Sequence, residues 1–255
     1  MKIKDVIKFL EEKFPLDLQE DWDNSGLQIG NIENKLTNIM ISLDLDDETI
    51  KKAKENSCNL IITHHPFIFS PIKSIDLRKD YNKKIEEIIR NDITVYSMHT
   101  NLDTAKGGVN DNLAKILELK NVGFLDTNNE NPMGRIGFVD EISSYDFAKF
   151  VKEKLKCKGL ILYGNKERKI KKVALCGGAG SDFIKDAIDK KCDLIVTSDV
   201  KYHEALDNCK EINIIDPGHF ASENHIIYMI ENLLENNFAT GIFTYSQKDS
   251  FREFI

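Results

Sequence analysis

The chain has 255 residues, 41% of them hydrophobic and 30% charged, enough for one large domain or two modest lobes with a substantial core. A formal net charge of −7, without a dense Lys/Arg block, excludes the electrostatic footprint of a nucleic-acid or anionic-membrane binder. No apolar stretch reaches the roughly 20 residues that span a bilayer.

In chain order, Ile3, Val6, Ile7 and Leu10 fall at helical spacing among Lys, Asp and Glu, which reads as an amphipathic helix rather than a signal peptide. A cytoplasmic location is therefore expected, and the dispersed Cys58, Cys157, Cys176, Cys192 and Cys209 fit buried thiols of a reducing compartment. Residues 22–31 form a turn cluster running into a short strand that ends at Gly30. A strand over 39–43 and a helix over 47–56 follow, the acidic residues 44–48 capping that helix. Leu60, Ile61, Ile62 and Thr63 read as a buried strand, and Pro66 cannot extend a ladder, so the strand stops where His64 and His65 begin. Open α/β sheets place ligands at such carboxyl ends. A capping histidine pair without a ligand is the plainer alternative. A helix over 82–91 precedes a strand at 93–98 that ends in His99 and leads to Asp103, and a helix over 109–118 follows Gly107-Gly108.

The second half repeats this order of elements. Asp5, Lys8, Phe9, Glu12 and Lys13 recur as Asp146, Lys149, Phe150, Glu153 and Lys154, and Gly30-Asn31 as Gly164-Asn165. Ile50, Ala53, Cys58, Leu60, Ile61 and Thr63 recur as Ile184, Ala187, Cys192, Leu194, Ile195 and Thr197, and His99 and Asp103 align with His219 and Glu223. The expected fold is α/β: two similar α/β lobes from an internal duplication, over 1–123 and 124–255, joined through the polar segment 126–132, with a metal site in the cleft between them.

The repeat collects His64, His65, His99, Asp103, His219 and Glu223 as one candidate site, all at or just beyond strand ends. Imidazole mixed with carboxylate suits zinc, iron, manganese or cobalt, and six such groups exceed the need of one tetrahedral ion, which argues for two. His64-His65 corresponds to Ser198-Asp199 in the second half. Asp199 is read as an orienter, a general base or a helix cap, and His203 as a proton donor to substrate or a packed ring. Gly177, Gly178 and Gly180 lie in a glycine-rich turn whose amides could hold a substrate phosphate, although a tight β-to-α turn explains the same residues. His225 reads as structural.

Trp22-Asp23-Asn24-Ser25-Gly26-Leu27, Thr63-His64-His65-Pro66, His99-Thr100-Asn101-Leu102-Asp103, Gly177-Gly178-Ala179-Gly180, Tyr202-His203 and Gly218-His219-Phe220-Ala221-Ser222-Glu223 together resemble the Nif-three-like family, whose bacterial members are labelled GTP cyclohydrolase 1 type 2 homologues. The resemblance covers essentially the whole chain. It implies two divalent metal ions, zinc, iron or manganese, on His64, His65, Asp103, His219 and Glu223, with His99 left for catalytic proton transfer. It also implies a homo-oligomer in the form of a hexameric ring. Longer members carry an inserted middle domain for which this chain has no room. The expected function is a metal-dependent hydrolase acting on a nucleotide-like or phosphorylated anionic substrate; the alternatives are a non-catalytic metal-binding or regulatory ring that docks a partner, and metals that only tie the lobes together.

Overall fold

The computed structural model describes residues 1–125 and 132–247; the expected linker therefore lies, apart from Pro132, outside the described residues. The elements begin with α1 (Ile3–Lys13), β1 (Gly26–Ile29), β2 (Asn38–Ser42), α2 (Asp47–Glu55), β3 (Cys58–Thr63), α3 (Asp80–Arg90), β4 (Thr94–Ser97) and α4 (Thr100–Thr104). They continue with α5 (Val109–Ile116), β5 (Lys120–Phe124), β6 (Arg135–Ser143), α6 (Ser144–Lys154), β7 (Ile161–Tyr163), β8 (Lys169–Leu175), α7 (Ile184–Asp189) and β9 (Leu194–Val196). The last are α8 (Tyr202–Asn208), β10 (Asn213–Asp216), α9 (His219–Glu223), α10 (Ile226–Glu235) and β11 (Gly241–Tyr245). The fold is mixed α/β with two sheets, in the class the sequence suggests.

Contacts group Met1–Ala105 with α10 and β11 in one compact unit and Lys106–His225 in another. The expected division at 123/124 and this grouping thus fall on opposite sides of α5, and the grouping assigns the C-terminal helix and strand to the first sheet. In the first unit the strand order is β1-β4-β3-β2-β11. β11, β2, β3 and β4 run parallel, and β1 pairs antiparallel with β4. Ile3, Val6, Ile7 and Leu10 of α1 are all buried, as their spacing requires. Asp46, not Asp44, caps α2, its side chain accepting from the Thr49 amide at 2.7 Å. Met40, Ile61 and Val95 of three adjacent strands pack against Ile50 and Ala53 of α2 and Ile88 of α3. Each of the larger of these side chains, removed fully from water, contributes about 1.5–3 kcal/mol of transfer free energy. Covered in this way, β3 needs no polar alternation and reads as a continuous apolar run.

In the second unit the order is β5-β6-β8-β9-β10-β7. β8, β9 and β10 are parallel, and β7 runs antiparallel to β10. Alternate residues point to opposite faces. Val173, Leu175, Leu194, Val196 and Ile215 pack with Phe147 and Val151 of α6, whereas Ala174, Ile195 and Ile214 pack with Ile184 and Ala187 of α7. Burial on this face pushes the Cys192 thiol up to about 11.

The segments β1-β4-β3-β2 and β7-β10-β9-β8 share order and direction. A local joint recurs with them. Gly30 and Gly164 have φ of +109° and +103°, and the following amides, of Asn31 and Asn165, donate to the side chains of Thr94 and Asn213, which open β4 and β10. A Cβ at Gly30 would stand 2.6 Å from the Thr94 Cα, and one at Gly164 would overlap the Asn213 side-chain oxygen. Only glycine lets the chain approach so closely at this φ.

Candidate metal centre

In the first unit, β3 ends at Thr63, whose hydroxyl donates to the His65 carbonyl at 2.8 Å and shapes the turn beyond the strand. His64 is fully buried, and its Nδ1 lies 2.8 Å from the Met98 carbonyl at the end of β4. His65 places Nδ1 2.7 Å from Asp44 Oδ1, and His99, two residues after β4, places Nδ1 2.7 Å from Asp23 Oδ1. A carbonyl and a carboxylate only accept, so in each ring Nδ1 carries the proton. The neutral tautomer then presents its lone pair at Nε2. One donor atom from each of His64, His65 and His99 lies within 4.8 Å of the others, and the ring centroids are 5.0–5.7 Å apart. Asp103 on α4 brings Oδ1 to 3.6 Å from His64 Nε2.

Asp23 has no exposed side-chain surface. Burial raises its pKa, but hydrogen bonds from His99, Thr100 and the Asn24 amide outweigh that and hold the carboxyl well below the usual carboxylate range. It remains an anion fixed behind the His99 ring.

In the second unit, His219 opens α9 and Glu223 stands four residues on, so both share one face of a single turn. His219 Nε2 is 3.0 Å from Glu223 Oε2, and its Nδ1 is 2.7 Å from Asp199 Oδ2. Asp199 thus orients the histidine, from a left-handed backbone conformation with φ of +55° that aspartate tolerates better than most residues. Gly177, Gly178 and Gly180 donate their amides to the side chains of Asn110, Ser222 and Thr197 at 2.8, 3.0 and 3.0 Å. Those donors are engaged within the unit. What the turn supplies in the structure is a seat, since a Cβ on Gly178 would overlap Oε1 of Glu223. His203 is exposed at the start of α8 with its ring edge-on to Tyr202, and His225 accepts from Asn112 while its Nε2 meets the Ser222 carbonyl.

The donor set fits divalent transition metals, because neutral imidazole and carboxylate are the ligands such ions take, and each ring is oriented by an acceptor behind it. His64, His65, His99 and Asp103 supply these groups in one unit and His219 and Glu223 in the other. Sequence reasoning left Asp23 and Asp44 among turn and capping residues. They lie 76 and 21 positions from the histidines they hold, and no local pattern links them.

Residues 1–249 match the family described as Duf34/NIF3 (NGG1p interacting factor 3). The chain belongs to this family. A GTP cyclohydrolase 1 type 2 homolog of Clostridium perfringens is 37% identical over 264 residues, with both chains covered in full. One from Campylobacter jejuni is 34% identical, again over the whole of both. Among solved structures, a Bacillus cereus protein related to NIF3 aligns with a TM-score of 0.92 at 26% identity, covering 100% of this chain and 99% of that one. Reduced HcgD from Methanocaldococcus jannaschii aligns with a TM-score of 0.84 at 31% identity, covering 96% and 97%.

Proposed function

We propose that this Duf34/NIF3 protein holds two divalent metal ions on His64, His65, Asp103, His219 and Glu223 and hydrolyses a nucleotide-like or phosphorylated substrate. One observation carries the reading: four imidazoles beyond strand ends have Nδ1 tied to an acceptor, so each leaves Nε2 as the ligand or proton-transfer atom. Bound divalent ions supply Lewis acidity and lower the pKa of water at the site. His99 moves the proton, accepting at Nε2 while the Asp23 anion behind Nδ1 stabilises the imidazolium that forms. Relatives named as GTP cyclohydrolase 1 type 2 homologs favour a nucleotide-like substrate.

A second reading, a metal-binding hexameric ring that docks a partner without catalysis, draws support from exposed Ile75 and Leu77 in the connection between β3 and α3. Light scattering on the purified protein checks the assembly against six times 29.2 kDa. The deciding experiment measures metal per chain on protein purified without added metal, then turnover of nucleotides and phosphoesters before and after chelation and reconstitution. About two ions per chain with turnover lost and restored supports the hydrolase. Two ions without turnover moves the assignment to the docking ring, and absence of metal overturns both.

A further inference from the structure

We propose that Trp22 and Phe69 form a stacking platform for a planar heteroaromatic ring of the substrate, presented beside His99. The proposal rests on the reading of His99 as the proton-transfer residue and adds the chemical class that it serves. Trp22 is 59% exposed and Phe69 52%, yet the two large rings hold a fixed mutual geometry, with centroids 6.0 Å apart and planes tilted by 56°. Both stand edge-on to His99, at 6.1 and 6.4 Å. From His99 the rings continue to His65 at 5.7 Å and to buried His64 at 5.3 Å. Aromatic surface therefore leads from solvent to the candidate donor atoms.

The platform is held from beneath. Asp23, next to Trp22, accepts from Ser25 Oγ and Thr100 Oγ1 as well as from His99. Beside Phe69, the Ile68 carbonyl accepts from Asn24 Nδ2 at 2.6 Å, and the Ile68 amide donates to Gln28 Oε1 at 3.0 Å. Gln28 in turn donates to the Asn24 carbonyl at 2.7 Å. Ile68, next to Phe69, is thus gripped through both its amide and its carbonyl by the segment carrying Trp22. Two exposed aromatics whose segments are tied together by these hydrogen bonds have already lost part of the freedom that stacking would otherwise remove, and that is the condition under which it adds most to binding. Neutral π faces favour a planar base over a sugar phosphate, which has no π face to return.

Trp22 is the chain's single tryptophan, so its fluorescence reads the platform directly. The full-length purified protein is titrated with guanosine monophosphate and, separately, with ribose 5-phosphate, with and without prior chelation. Saturable quenching by the nucleotide but not by the sugar phosphate is expected. Phe69→Ala should weaken nucleotide binding about tenfold. Trp22→Ala should do the same by equilibrium dialysis, and Trp22→Phe should restore most of it, with circular dichroism reporting that each variant folds. Equal, non-saturating quenching by both probes overturns the platform. So does Trp22 emission that is already shielded from acrylamide, which would show a second copy covering the ring. Saturable stacking without turnover under any metal keeps the platform and removes the hydrolase. Turnover with unchanged KM in Phe69→Ala and Trp22→Ala does the reverse.

Discussion

After β4, His99 leans on Asp23, a carboxylate brought by the segment before β1; after β10, His219 leans on Asp199, brought by the turn that follows β9. The strands around both histidines have the same order and direction, so the place of the ring is set by topology. Its carboxylate partner is not. Beyond β3 the chain reads His64-His65, and at the matching position beyond β9 it reads Ser198-Asp199. One scaffold position carries a metal-donor candidate in the first unit and the holder of such a candidate in the second. The two units are alike as frameworks and complementary as chemistry, and the residues directly after β3 and β9 are where that difference is written.

The largest test of this contrast removes the acid four residues after each histidine. Asp103→Ala and Glu223→Ala should each lower turnover more than a hundredfold if both units contribute to one reaction, whereas a loss confined to one variant would leave the other unit a framework only. Removing a donor should exceed the roughly 10–100-fold effect of removing the partner behind one. Next come the shared joints. Gly30→Ala forces a Cβ onto the Thr94 backbone and should cost about 3 kcal/mol, read from a urea midpoint. Gly164→Ala meets a side chain instead of backbone, the Asn213 amide, which must loosen its bonds to Ser144 and Asn165 to give way, and should cost less, about 2 kcal/mol. Equal losses would mean that Asn213 is as rigid as backbone.

Replacing the holders is a finer probe. Asp44→Ala and Asp199→Ala should weaken metal affinity about 10–100-fold by competition with a chelator, while stoichiometry at saturating metal stays unchanged. The smallest effect is a pH dependence. Asp23 has a folded-state pKa below its unfolded one, so it stabilises the fold above the ordinary carboxylate pKa of about 4 and loses that contribution as pH falls through its folded value. The stability deficit of Asp23→Asn should therefore be greatest near neutral pH and shrink below about pH 4. A deficit that is constant with pH would show that Asp23 acts through shape and not through charge.

Much of the framework was readable from residue pattern. α1 shows the spacing of Ile3, Val6, Ile7 and Leu10, and β3 shows an uninterrupted apolar run closed by histidines and Pro66. The candidate donors were readable because they sit at strand ends in a repeated order. What pattern could not carry is pairing across the fold. Asp44 sits in one acidic stretch with Asp46, Asp47 and Glu48, and only the folded chain separates Asp46, which caps α2, from Asp44, which holds His65. Gly178 hid its role for another reason: a seat for Glu223 is an absence of atoms, and sequence shows the glycine without showing what needs the room. β11 joins β2 across 203 positions, so no window of sequence could place it in the first sheet.

That last pairing has a consequence for how the protein is made. β11 lies in register with β2 from Asn38 to Ser42, and Gly241 and Thr240 fasten its start to Asn38 and Thr37. On the ribosome, β2, β3 and β4 emerge before the second sheet, but the strand that covers the β2 edge follows 203 positions after its partner. At about 5–20 residues per second, that edge stays open for on the order of ten seconds or more while the second sheet is still being translated. Over that interval the nascent chain carries an unpaired backbone edge able to accept a strand from a neighbouring chain, and the emergence of β11 is the event that closes it.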